Sequence, residues 1–453
     1  MMKAAMYNVK RGRVWLAIRL MALAGLVLVS LGAAGLASAA TLLTESTWGG
    51  PSDESTGGAA VAADGSTYLA GFTSSFGDGD LSVFVVKFAP DGTLVWQRTW
   101  DGPEQFGSDA ANDVDVAPDG SVYVAGYTQG TGGDALLLKF SPDGTLLWQR
   151  TWGGSASDRA EAVAVAPDGS VYIAGGTTSF GGGNSQIFAA RFAPDGTLVW
   201  QRAWGLDGFA DGQGVAVAPD GSVYVAGVAT RPGGAFEFDI VLLKLDGDGN
   251  LMWQQAYSAG EIADARGGVA VGPDGSIYVA GGIQQPRSRI VDLNTLLLKF
   301  SPDGTLVWDR EWGGRSGDEP ADVAVASDGT VLLAGNTNSY GAGSDDAFLI
   351  QVRPDGRGLG GNTWGGTGTD HSGGVDSAPD GTISLGATAH NPPYTFDRVT
   401  DRLSRARGTI ATPSGVLSNA TGIVSEPAGI VETPSGSTTY AGGHDAALLR
   451  IAP

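Results

Sequence analysis

An all-β fold built from repeated four-stranded units is what this sequence predicts, and three observations predict it. A Pro-Asp-Gly-like turn recurs roughly every 52 residues, with its Asp at Asp64, Asp119, Asp168, Asp220, Asp274, Asp328 and Asp380, and with Ser435 in an eighth, degraded copy. A bulky aromatic keeps step with it, at Trp48, Trp100, Trp152, Trp204, Tyr257, Trp312 and Trp364. Between these markers, β-branched and aromatic residues alternate with polar ones, and Gly and Asp punctuate the runs. No copy of such an array buries a core alone, so the copies must pack on one another.

One copy shows the elements in order. Ala162-Val163-Ala164-Val165-Ala166 alternates as strand a, and Pro167-Asp168-Gly169 turns the chain. Ser170-Val171-Tyr172-Ile173-Ala174-Gly175 is strand b, followed by a Gly-rich loop. Ile187-Phe188-Ala189-Ala190-Arg191-Phe192 is strand c, Pro194-Asp195-Gly196 turns again, and Thr197 to Trp204 is strand d. Four antiparallel strands repeated radially describe a β-propeller blade. The count predicts eight blades, with seven blades and a tail as the alternative. A β-helix fits less well, since its rungs are much shorter than this period.

The ends of the repeat region predict how the ring closes. The eighth copy reaches Ala447-Leu448-Leu449-Arg450-Ile451 as strand c and has no strand d. Leu42 to Trp48 matches strand d of the other copies. Residues 41–48 are therefore expected to complete the last blade, which removes an open edge. The copies from about residue 373 to 453 are degenerate, and after Arg402 a seventh strand d is hard to see between Thr409 and Gly422.

Residues 1–40 are of another kind. Lys3, Lys10, Arg11, Arg13 and Arg19 precede an apolar run from Leu20 to Leu36, and Ala37-Ser38-Ala39 offers a small-x-small cleavage site. This reads as a secretory signal peptide, with an uncleaved anchor as the alternative. Residues 41–453 then form the propeller domain. They keep 22 Lys and Arg against 48 Asp and Glu, a formal charge of -26. Such a surface repels phosphate backbones, so no nucleic acid is expected as a partner, and no membrane after cleavage of the leader. The chain has no Cys, which excludes disulfides, thiolate metal sites, covalent haem and a lipidated N-terminal Cys.

The pattern Trp152-Gly153-Gly154, Asp158, then Ala166-Pro167-Asp168-Gly169-Ser170-Val171-Tyr172-Ile173-Ala174-Gly175 resembles the SBBP-type β-propeller repeat of secreted bacterial proteins. The resemblance covers nearly all of residues 41–390. It implies an exported propeller and no defined activity. Asp143-Gly144-Thr145-Leu146-Leu147-Trp148 is similar to the Trp-docking motif of eight-bladed quinoprotein dehydrogenases, a structural motif even there.

Candidate site residues are few. Glu54, Asp109, Asp158, Asp264, Asp318 and Asp370 stand ten residues before each turn Asp, with Asp211 one residue off register. They precede the innermost strand and would ring one mouth of the channel, where like charges attract a hard cation such as Ca²⁺. The local alternative is an Asp that fixes its own loop through backbone N–H groups. Ca²⁺ apart, no cofactor is expected. His371, His390 and His444 fall on loops of one face, and with Asp370 and Asp445 they form a candidate Zn²⁺ or catalytic set, with coincidence as the alternative. Asp246-Gly247-Asp248-Gly249-Asn250 resembles the start of an EF-hand loop, but Tyr257 stands where a bidentate Glu is required. The periodic Trp, the strand-b Tyr and the strand-c cations at Lys87, Lys139, Arg191, Lys244, Lys299, Arg402 and Arg450 are expected to pack blades together. No catalytic residue is assigned.

The two faces differ. The a–b and c–d connections are repeated Asp-Gly turns, whereas the b–c and d–a connections are long and individual, as at Arg231 to Phe238 and Gln284 to Arg289. Variable loops on a rigid frame are where binding residues tend to lie. The sequence thus predicts an exported, monomeric, non-catalytic scaffold, secreted or at the cell surface, that binds a protein or glycan through its loop-rich face. The alternatives are a propeller enzyme (hydrolase, lyase or quinoprotein-like) with its site at the channel mouth, and a structural cell-surface element.

Overall fold

The computed structural model describes residues 40–452, except 78–79, 104–106, 130–131, 182–183, 232–236, 260–262, 285–292, 400–402, 435, 437 and 439–442. Apart from Ala40, the leader assigned to residues 1–40 lies outside the described residues, as do Arg402, Ser435 and most of the loop from Gln284 to Arg289.

The chain forms a propeller of seven blades, which corrects the expected eight. Blade 1 comprises strands a to d at Glu54–Val61, Thr67–Thr73, Ser82–Phe88 and Leu94–Asp101. Blades 2 (109–153), 3 (158–205), 4 (210–258) and 6 (318–365) repeat this order. In blade 5 strand a is divided into Ala263–Asp264 and Val269–Val271, both paired with Ile277–Gln284. Strand a of each blade packs on strand a of its neighbours around the axis, with blade 7 against blade 1.

Blade 7 explains the miscount. Its strands a and b are His371–Ser377 and Ile383–His390, its strand c is His444–Ala452, and its strand d is Thr41–Trp48. Thr41 faces Ala452 and Trp48 faces Ala446, across a bulge near Thr44. Residues 391–443 are an insertion between strands b and c. It is almost one repeat long, so it kept the period in step without supplying a blade.

That insertion is a belt. It runs backward around the rim, adding a fifth strand to most blades. Thr395–Val399 pairs with blade 6, and Ser404 bridges to Glu311 of blade 5. Thr409–Ala411, Val416–Asn419, Ile423–Ser425 and Ile430–Glu432 then pair with blades 4, 3, 2 and 1. The belt has its own period of seven, marked by Gly408, Gly415, Gly422, Gly429 and Gly436. Each of these lies on the ring of Tyr257, Trp204, Trp152, Trp100 or Trp48, where a Cβ would fall 2.1–2.3 Å from a ring atom. Only glycine permits so close an approach.

The aromatic and cationic series join neighbouring blades. Trp100 donates its indole N–H to Gln149 of the next blade at 2.6 Å, and Trp204 to Gln254 at 2.7 Å; Trp48 and Trp152 reach Gln97 and Gln201 likewise. Gln97 and Gln254 in turn donate to the belt carbonyls of Pro434 and Pro413. Trp96, Trp148, Trp200, Trp253 and Trp308 donate to a carbonyl in the next blade's c–d turn, at 2.9–3.2 Å. Lys87, Lys139, Arg191, Lys244 and Lys299 donate to the same carbonyls and lie over the strand-b Tyr rings, 4.9–5.6 Å from their centroids. These are packing and cation–π contacts at the blade seams.

Candidate functional site: the channel and its loop-bearing mouth

Residues from all seven strands a line a central cavity of about 310 Å³. Small residues dominate the wall, since seven strands converge there: Gly57, Gly58, Ala162, Gly214, Gly268, Ala321 and Gly373 stand beside Asn112, Gln213 and a few charges.

The seven mouth carboxylates divide into two sets. Glu54, Asp109, Asp158 and Asp318 open strand a, each opposite a Thr of strand b, and Asp370 directly precedes its strand. All five are buried. Each accepts from its own loop. Glu54 takes the N–H of Gly50 at 2.9 Å and the Thr73 hydroxyl at 2.7 Å. Asp109 takes Gly102 N–H at 2.6 Å. Asp158 and Asp318 take the N–H of Gly154 and Gly314 at 2.8 and 2.7 Å, with the hydroxyls of Ser179 and Ser339. Asp370 takes Gly366 and His390 N–H at 2.7 and 2.6 Å. Burial raises the pKa of Glu54, Asp318 and Asp370, and these hydrogen bonds work against it.

Asp211 and Asp264 stand one place further along strand a, opposite Val228 and Gly282; Ala210 and Ala263 hold the first place. In blade 5 the divided strand a shifts Asp264 away from the sequence register with Asp158. Burial pushes Asp211 up to about 6 and Glu161 up to about 7, with Arg159 opposing both. Arg266 lies 3.4 Å from Asp264 and 3.3 Å from Glu319. The mouth therefore carries mixed charge rather than a single acidic ring. Among the described residues, no three His, Asp or Glu side chains converge as a metal site.

Two of the three histidines meet. His390 and His444 stack with ring centroids 4.2 Å apart, and His444 Nδ1 lies 3.0 Å from Asp53 Oδ1. The bond from His444 holds the Asp53 carboxyl below its ordinary range. His371 lies elsewhere, opposite Thr388 at the start of its strand a, and feels Asp345 and Glu319. Asp246 caps an ordinary c–d turn, accepting from Asp248 and Asn250 N–H at 3.0 and 2.8 Å.

The carboxylates that do most at the axis were not singled out from sequence. Asp113, Asp115, Asp322 and Asp376 each bridge two blades. One oxygen accepts from the next residue in the strand; the other accepts from Val163, Val165, Val375 or Val61 of the following blade at 2.7–2.8 Å. Asp113 and Asp322 border the channel cavity, yet protein surrounds all four carboxyls, and desolvation raises their pKa values: to about 7 for Asp115 and Asp322, about 6 for Asp376, and well up for Asp113. An acid in an Ala- and Gly-rich inner strand was the available signal.

The other face is uniform. In all seven a–b turns the Asp Oδ1 accepts the N–H two residues on, at 2.8–3.0 Å. The following Gly holds φ of 76–87°, the left-handed region that excludes most side chains. On the loop face, exposed Phe209 meets Phe238 edge-on at 6.0 Å.

Comparison with known proteins agrees with the fold. Residues 117–146, 166–198 and 326–357 match a family described as a domain of unknown function (DUF5122) beta-propeller. The chain is 28% identical over 170 residues to "Regulatory protein FlaEY" of Caulobacter vibrioides, a match covering 31% of this chain and 18% of that protein. Among solved structures, Sqt1 from Chaetomium thermophilum is 11% identical with a TM-score of 0.42, over 91% of this chain and 99% of that one. A glucose dehydrogenase is 13% identical with a TM-score of 0.38, over 65% and 96%. Neither structural likeness is close enough to argue function from.

Proposed function

We propose that this propeller is an exported binding scaffold that engages a protein or glycan through its loop-bearing face. The observation that carries the reading is the contrast between faces. Seven a–b turns share one hydrogen-bond pattern, while on the opposite face the b–c loops of blades 2, 4 and 5 and the insertion of blade 7 depart in sequence from the Ser-Phe/Tyr-Gly loop that blades 1, 3 and 6 have in common. Uniform turns carry no specificity, whereas individual loops on a rigid frame do. The Phe209–Phe238 pair supplies an aromatic contact on that face. The residue 1–40 pattern supports export, and the repeat's likeness to the SBBP type belongs to the same reading.

The test is a pull-down and a glycan array with the purified protein, followed by loop replacement. Exchanging Arg231 to Phe238 for a short Gly-Ser loop should weaken the captured partner without unfolding the protein, at some cost in melting temperature because Arg231 pairs with buried Asp239 at 2.7 Å. If that exchange leaves binding intact, and changes at Asp143-Gly144 abolish it in a folded protein, the face is wrongly assigned.

A further inference from the structure

Among the described residues, the rim aromatics find a side-chain acceptor in the next blade at every seam but one, between blades 5 and 6. Strand d of blades 1 to 5 reads Leu-x-Trp-Gln-Arg or close to it; in blade 6 it reads Gly358-Leu359-Gly360-Gly361-Asn362. Gly361 stands where Gln149, Gln201 and Gln254 receive the preceding blade's indole. Trp312, 3% exposed and packed on Phe348 at 4.6 Å, consequently has no hydrogen-bond acceptor among the described residues. Gly358, Gly360 and Gly361, which stand where blade 1 carries Leu94, Trp96 and Gln97, border a cavity of about 760 Å³ between the two outer strands and the belt. Ile350, Leu359, Val399 and Leu403 give it apolar walls.

Its rim is cationic, in a chain of net charge -21. Arg310, Arg357, Arg398 and Arg405 border the cavity. Arg310 is fixed by the carbonyls of Gly356 at 2.9 Å and Asp309 at 2.6 Å. Arg357 lies 3.7 Å from Asp355 and Arg405 3.6 Å from Asp309, both arginines being largely exposed. Asp355 is exposed and Asp309 buried, but single contacts of that length from exposed arginines leave guanidinium donors for another anion. Among the described residues no carboxylate pairs with Arg398.

We propose that this cavity is a small-molecule site for an anion with a flat apolar body, such as an aryl carboxylate or aryl phosphate. The volume is that of a ligand pocket. The walls take the apolar body, the Trp312 N–H finds the acceptor that Gly361 denies it, and the arginines bind the charge. The site is on the rim, away from the loop face, and stands independently of the binding reading above.

Isothermal calorimetry decides it, with indole-3-acetate and phenyl phosphate as probes and indole-3-acetamide and phenol as neutral counterparts. The anions should bind with Kd below about 1 mM, and the neutral compounds at least about tenfold more weakly. Gly361→Gln restores the repeat's own residue, gives the Trp312 N–H an acceptor and narrows the cavity, so it should weaken the anions by at least about tenfold in a protein that melts no lower. Arg398→Gln with Arg405→Gln should weaken the anions and leave the neutral compounds unchanged, which keeps the test decisive if Gly361→Gln misfolds. Equal binding of anions and neutral compounds, undiminished binding by both variants, or no heat with the wild-type protein would overturn the proposal.

Discussion

The axis and the rim perform the same task, joining one blade to the next, with opposite chemistry. At the axis the joint is an ionisable group: Asp115 holds Val165 of the next blade, Asp322 holds Val375, and Asp376 holds Val61. At the rim most joints are neutral, a Trp N–H on a Gln amide with the belt behind it, and the exceptions are Tyr257 on Asp309 and Trp364 on Glu45. The axis is crowded, and only a short acceptor fits between two strands that carry Ala and Gly. The rim is wide, and only large side chains span it. Strength at the rim should therefore come from buried aromatic area and be indifferent to pH, whereas strength at the axis should titrate.

The largest effect should come from breaking a rim joint. Trp152 is buried and stacks on Phe188 at 4.2 Å. Trp152→Ala should cost about 3–5 kcal/mol in urea denaturation, by a margin that does not change with pH. A loss much below that would mean the belt, and not the indole, holds the seam.

A smaller effect should appear on titrating the axis. Its carboxyls have folded pKa values raised to about 7, about 7 and about 6 at Asp115, Asp322 and Asp376. Between about pH 4 and pH 7 the folded protein holds protons that the unfolded chain has released, so stability falls as pH rises through that window. Below it the turn aspartates dominate. Asp119 and Asp168, for example, are held low by backbone N–H bonds and lose their contribution as the pH drops further. The melting temperature should be higher near about pH 5 than near about pH 8. The slope should flatten in an Asp115→Asn, Asp322→Asn double variant; an unchanged slope would place the titrating groups elsewhere, with Glu161 and Asp211 next to be replaced.

The smallest expected effect is that of Ca²⁺. Glu54, Asp109, Asp158, Asp318 and Asp370 already accept hydrogen bonds from their own loops. Calorimetry with millimolar Ca²⁺ and with chelator should give the same melting temperature. A rise with Ca²⁺ would show that the mouth carboxylates share a cation that binds the folded state.

Much of the blade was legible because its signals are local. Asp-Gly turns mark every a–b connection, and Trp48, keeping step with the rim aromatics, marked residues 41–48 as a strand d. The blade count failed because the belt occupies one repeat's length and contains strand-like runs such as Gly422-Ile423-Val424. Its sevenfold glycine spacing was the overlooked signal, and it matches the distance around the rim from one Trp to the next. Mouth residues were legible as a class of acid before strand a, but not in register: the divided strand of blade 5 moves Asp264 beside Asp211 in type. The axis bridges were hidden because Asp113 to Val163 is a contact between copies, and the repeat describes only what happens within one.

The belt also sets an order of assembly. It follows six complete blades in the chain and touches their outer strands in reverse, from blade 6 back to blade 1, before strand c of blade 7 inserts beside the N-terminal strand. Every pairing it makes is with a segment far earlier in sequence, and such contacts form late because the intervening chain must first be ordered. A partly made ring would thus present five bare strand edges that are covered only at the final step. In a protein read here as exported, that interval is when a chaperone would be needed and when a protease would find its substrate.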